Sequence, residues 1–368
     1  GSIRSMTSLG DLYGSLNELM PFSMAAGWDP VGIQLGDPAA DLRRVGVCHE
    51  VTSLIVEQAV ASGLDALVSY HPLLFTPTTS LVAGPGAAGR AWSLVSSGVA
   101  LLVTHTAFDV APGGSADSLA AALNIKAATG FAPIWGGESV RITVFVPEPA
   151  TNDVAAAMAN AGAGVIGNYA NCTFRAVGVG TFRPERGASP TIGAVGEPTR
   201  VEETRLEMIA ARHRVDAVVA ALVAAHPYEE PSFDVVDRRG DAGFLGRIGS
   251  FGGSIEELRA LVDEQLGGAS RVSGPGPVEP LRVAVVPGSG AGQLAAAATG
   301  GGNVMVTGDV KHHDARRAAE LGIAVIDPGH AATEKPGVAR LYAAVAGVVT
   351  DAVDLTAVDA DPWTPTWE

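Results

Sequence analysis

The chain has 368 residues, of which 47% are hydrophobic and 17% charged, and it carries a net charge of -15. That length allows roughly two or three domains with a sizeable core, and no uninterrupted apolar run reaches the ~20 residues that a bilayer span needs. The acidic balance argues against non-specific nucleic-acid binding, which rests on Lys and Arg neutralising phosphates, and the two cysteines, Cys48 and Cys172, fit a reducing compartment and cannot build a thiolate zinc knuckle.

Residues 1–6, GSIRSM, read as a tag remnant, and no basic start leads into an apolar stretch, so no signal peptide is read and a cytoplasmic location is expected. Leu9, Leu12, Leu16 and Leu19/Met20 fall at helical spacing. A strand is expected over 43–51, then a helix capped by Thr52 or Ser53. DALVSYHP is a strand ending at His71, GRAWSLVSSG a helix, and VALLVTHTAFDVAPGG a strand running into a Gly/Pro loop. SADSLAAAL opens another helix. Alternating strand and helix argues for an α/β domain with parallel pairing.

The texture changes near residue 138. VRITVFVP alternates as a strand, TNDVAAAMANAG reads as a helix, and CTFRAVGVGTFRP and VEETRLEMIAA look like antiparallel strands. RVDAVVAALVAAH is a helix and PSFDVVDR a final strand, an order that suggests a ferredoxin-like α+β module. RGDAGFLGRIGSF reads as a link. From about 281 the α/β texture returns through LRVAVVPGSG, VMVTGD, HHDARRAAELG, IAVIDPGH and a last helix, before the Pro-rich tail DADPWTPTWE. The expected architecture is a discontinuous α/β core, 7–137 and 243–355, interrupted by a module over 138–242, with a tail at 356–368.

Functional sites of open α/β folds gather at the C-terminal ends of strands. That criterion selects His71, His105 with Asp109 four residues on, Asp309, and His330 with Glu334 four residues on. If HAATE is a first helical turn, His330 and Glu334 share one face within reach of one ion. Imidazole and carboxylate together suit zinc, iron or manganese and hydrolytic chemistry. Each residue also has a plainer reading: a strand-end histidine can be structural, His49 can belong to the core, and Asp29 can be a turn carboxylate. KHHD can be a helix start, and PGSGAG a tight turn as readily as a phosphate cradle.

Taken in order, GWDPVGIQLGD, SYHPLLF, HTAFDVAPGGSADSLA, GFLGRIGSF, TGDVKHHDA and IDPGHAATE resemble the Nif-three-like family, whose members are often labelled GTP cyclohydrolase I type 2 homologues. The segment with AHPYEEPSFDVV resembles the PII/CutA-like module of its longer members. The resemblance implies a dinuclear site in which His71 and Asp109 bind one metal, His330 the other, and Glu334 bridges both. The family carries His-His-Pro where this chain has Tyr70-His71-Pro72, so position 70 lacks its imidazole. Tyr70 could bind only as a phenolate, and one or two divalent ions per chain are expected. His105 and His313 are expected to line the cavity and carry protons. The resemblance further implies a homohexamer of dimers and a nucleotide substrate attacked by metal-activated water. The alternative is a non-catalytic metal-binding scaffold whose insert senses a ligand.

Overall fold

Ser8 starts the first helix, Leu9–Leu19, by accepting a hydrogen bond from the Asp11 amide while the Asp11 carboxylate accepts one from the Ser8 amide. This reciprocal cap satisfies two donors that a helix end leaves open. Leu9, Leu12 and Leu16 on the inner face are fully buried, and burying each contributes about 1.5–3 kcal/mol. The computed structural model describes residues 7–135, 139–166, 169–238, 242–277, 279–359 and 361–363. The proposed tag remnant, 1–6, lies outside them, as do residues 360 and 364–368 of the tail. The chain divides into two compact units, 1–136 with 242–368 and 137–241.

The first unit carries a five-stranded sheet in the order Asp351–Leu355, Arg44–Cys48, Ala66–Ser69, Ala100–Val103, Gly32–Leu35. Its first four strands are parallel and the last is antiparallel. Val45, Val47, Val68 and Leu102 pack on one face against Leu12, Leu16 and Leu341, while Leu67, Leu101 and Val103 face Ile55 and Leu94 on the other. Burial on both faces explains why these strands read as continuous apolar runs rather than alternating ones.

A six-stranded sheet of the same unit runs Arg271–Ser273, Ala324–Asp327, Val304–Gly308, Leu281–Ser289, Ala242–Phe251, Lys126–Trp135. Its inner strands Leu281–Ser289, Val304–Gly308 and Ala324–Asp327 are parallel. The segment expected to be a link is instead the strand Ala242–Phe251, antiparallel to both of its neighbours. A Cβ at Gly246 would come within 2.3 Å of the Phe131 ring, so the missing side chain is what lets the strands pair. Its partner strand Lys126–Trp135 carries no clear alternation and was not expected.

The second unit contains strand Ser139–Pro147, helix Thr151–Asn160, strands Phe174–Phe182 and Thr199–Ala211, helix Val215–Ala225 and strand Phe233–Arg238. Numbered by chain order within the unit, the strands lie 4-1-3-2 in one antiparallel sheet. Val140, Ile142, Val144 and Val146 alternate inward against Val154, Met158, Val218 and Leu222 of the helices. Among the described residues, no helix is long and apolar enough to cross a membrane.

Candidate metal centre

Three neighbouring parallel strands end at one edge of the five-stranded sheet, and each delivers a histidine. Cys48 pairs with Ser69, and Ser69 with Val103. The ladder continues one rung further: the His71 amide donates to the His49 carbonyl at 2.9 Å, and the His105 amide to the Tyr70 carbonyl at 2.9 Å. His49, His71 and His105 therefore stand side by side. In the six-stranded sheet, Val304–Gly308 ends before Asp309, and Ala324–Asp327 leads through Pro328 and Gly329 to the helix His330–Ala346. HAATE is indeed the first turn of that helix, so His330 and Glu334 share a face.

Glu334 is the hub of the cluster. It is buried, and its two oxygens look in different directions. Oε1 lies 3.1 Å from His330 Nε2, whereas Oε2 lies 2.7 Å from His49 Nε2 and 3.5 Å from His71 Nε2. Burial would raise this carboxyl, but hydrogen bonds from His330, His49 and His71 outweigh it and hold Glu334 well below the usual carboxylate range. Burial lowers His330, yet Glu334 and Asp309 prevail and push the imidazole up to about 9.

Two histidines are oriented by carboxylates. His330 Nδ1 bonds Asp309 Oδ2 at 2.7 Å, and His105 Nδ1 bonds Asp29 Oδ1 at 2.9 Å. The other Asp29 oxygen accepts from the Thr106 amide and hydroxyl. Asp29 is thus more than a turn carboxylate; it fixes a ring across 76 residues of chain. His105 opens the helix His105–Val110 at φ 30°, and Asp309 sits at φ 57°. Such backbone costs of order 1–3 kcal/mol at a non-glycine residue, and here it falls on the oriented ring His105 and on Asp309, which orients His330. Burial lowers His105, but Asp29, Asp109 and Glu334 outweigh it and the ring titrates above its ordinary value.

Tyr70, expected as a ligand, has its hydroxyl on a carboxylate. It is fully buried, its hydroxyl donates to Asp109 Oδ1, and Ser115 Oγ lies 3.5 Å away. Burial and the charges of Asp109 and Glu334 push the phenol well above its usual range. Asp109 is pushed up to about 7, by burial first, against the pull of His105 and Tyr70. His313 departs from expectation. It is exposed on the helix His312–Glu320 with its ring edge-on to His312 at 5.3 Å, because the helix turns that position outward. Among the described residues no bond or ring contact joins His313 to the cluster.

The PGSGAG segment ends the strand Leu281–Ser289 and turns through Gly290 into a short 3-10 helix, Ala291–Gln293. The Gly288 amide donates to Thr333 Oγ1 and the Gly290 amide to Thr307 Oγ1, both at 2.8 Å, so these donors are already used. At the rim of the histidine cluster, the exposed rings of Trp28 and Phe75 lie 5.9 Å apart, and Trp28 is 6.1 Å from His105.

His49, His71 and Glu334 form a group that could hold a metal ion, with one donor atom from each lying within 4.8 Å of the others. The chemistry fits: imidazole nitrogens and a carboxylate suit zinc, iron or manganese, and carboxylates bound to the far nitrogen of nearby histidines are a regular feature of such sites. His49 was readable only as a core histidine, since VCHE continues an apolar strand. The one usable signal was its place at the end of a strand.

The family description Duf34/NIF3 (NGG1p interacting factor 3) matches residues 7–362. A Halalkalibacterium halodurans protein named GTP cyclohydrolase 1 type 2 homolog is 34% identical over 315 residues, covering 84% of this chain and 85% of that protein. A Mycobacterium leprae protein of the same name is 35% identical over 341 residues, 89% of this chain and 87% of its own. The solved structure of a Bacillus cereus protein related to NIF3 is 31% identical, with a TM-score of 0.64 over 98% of this chain and 100% of that one. With sequence and fold agreeing over nearly the whole length, the chain belongs to the Duf34/NIF3 family.

Proposed function

We propose that this protein is a metal-dependent hydrolase-like enzyme acting on a nucleotide or related small heterocycle, with one or two zinc, iron or manganese ions per chain. The observation that carries the reading is Glu334, whose oxygens are divided between His330 and the pair His49 and His71. A bound divalent ion supplies Lewis-acid polarisation and an acidified water. His49, His71, His330 and Glu334 would hold it. His105, fixed through Nδ1 by Asp29, keeps its other nitrogen for moving protons. Trp28 and Phe75 offer exposed faces on which a planar base can stack. The name of the relatives supports GTP as the first substrate to try, and self-association into a hexamer belongs to the same proposal.

A second reading, a scaffold whose insert senses a ligand, is favoured by one observation. The second unit contains a cavity of about 670 Å³ lined by Phe145, Val179, Phe182, Glu203 and Tyr228 among others. Its 4-1-3-2 antiparallel order with two helices supports a ferredoxin-like, PII/CutA-like module. The test is formate release and nucleotide turnover with GTP, on protein whose metal content is measured. Loss on chelation and return on metal addition is expected. No turnover by fully loaded protein would reject the hydrolase in favour of the scaffold.

A further inference from the structure

We propose that His49 is a metal ligand in this chain, acting with His71 and Glu334 on a single ion, and that Tyr70 keeps Asp109 away from that ion. The inference rests on the metal-binding reading above and goes beyond it. Position 70 and position 49 are neighbours on adjacent parallel strands, one rung past the pair Cys48 and Ser69. Their rings lie nearly parallel, 5.8 Å apart at an interplanar angle of 12°, so both side chains leave the sheet on the same side. Two residues so placed can exchange tasks. The imidazole at 49 lies 2.7 Å from Glu334 Oε2.

The tyrosine has a different occupation. Its longer ring carries the hydroxyl past the cluster to Asp109, a carboxylate otherwise suited to a metal. The hydroxyl that donates to Asp109 occupies Oδ1 and ties the carboxylate to the buried ring. What remains beside the His49, His71 and Glu334 group is His330 with Glu334 Oε1 at 3.1 Å. Two donors fall short of the three protein ligands usual in catalytic sites. Among the described residues, the one group of three or more that could hold an ion is the one containing His49. The geometry therefore points to one ion per chain.

The test uses the full chain, purified without a histidine tag. Zinc affinity and stoichiometry are measured by competition with a chromophoric chelator, and the Co²⁺-loaded protein is examined for its visible absorption. The unaltered chain should bind one equivalent. His49→Leu should weaken zinc by more than about 100-fold, beyond the roughly 10–100-fold typical of losing an outer partner, and alter the Co²⁺ spectrum. Should His49→Leu fail to fold, His49→Gln is measured in the same way with the same loss expected. Tyr70→His in the His49→Leu background should restore affinity to within about tenfold, because an imidazole returns to the neighbouring strand end. Zinc binding by the His49 variants at full affinity would overturn the inference while leaving the metal reading intact. Two equivalents on the unaltered chain would overturn the single-ion claim. No binding by the unaltered chain would reject the metal reading itself.

Discussion

Gly288→Ala tests whether Glu334 stands where the metal-site geometry requires. Gly288 is buried at φ 64° in the strand Leu281–Ser289, and a Cβ there would lie 2.4 Å from Glu334 Oε1 and 3.2 Å from His330 Nε2. Gly322 is the control: it has φ 74° in an exposed turn with nothing within 4 Å of its Cβ. Alanine costs about 1–2 kcal/mol at either position through its backbone conformation. Only Gly288→Ala adds the clash, and Glu334 is held by three histidines and cannot swing clear. Overpacking of that kind costs about 1–3 kcal/mol. A difference of about 2 kcal/mol between the variants corresponds to roughly 4–8 °C in melting midpoint for a unit of this size. Thermal melts of metal-free protein should show that gap, and zinc titration should find Gly288→Ala weakened while Gly322→Ala binds normally. Equal midpoints together with equal zinc affinities would refute the placement of Glu334 against this strand.

Asp309→Asn removes the charge that orients His330 through Nδ1, and His330 in turn bonds Glu334 Oε1, so zinc affinity should fall about 10–100-fold with little loss of fold; unchanged affinity would show that His330 does not hold Glu334 in place. Trp28→Ala should raise KM for a nucleotide roughly tenfold and leave kcat nearly unchanged, as expected for a stacking contact; a fall in kcat alone would contradict that role. His226 in the second unit is held below its ordinary value by burial, against the Phe145 carbonyl and Glu203. Its Nε2 bonds the Phe145 carbonyl and its Nδ1 accepts from the Tyr228 amide, both at 3.0 Å, so the fold needs the neutral ring. The unfolded chain therefore takes up a proton first on acidification, and stability falls as pH drops below about 6.5. His226→Gln should flatten the urea-midpoint profile between pH 7 and 5, and parallel profiles would refute the linkage.

Local pattern determined much of this protein by itself. The i, i+4 spacing of His330 and Glu334 needs only a helical turn, and strand-end positions follow from apolar runs meeting Pro or Gly. The helix start at Thr52 follows from a capping residue. These readings survive because the forces behind them act within a few residues of chain. The strand Ala242–Phe251 did not, because its glycines mean close packing against Phe131 rather than a loop, and Phe131 is far away in sequence. His49 was hidden for the same reason. Nothing in VCHE distinguishes a core imidazole from one facing Glu334 until strand register sets it beside Tyr70 and within 2.7 Å of that glutamate, 285 residues later. Tyr70 is the complement: its motif marked a ligand position, and the packed sheets set its buried hydroxyl on Asp109. Tertiary structure alone sets such roles, because they depend on distances between groups that only the packed sheets bring together.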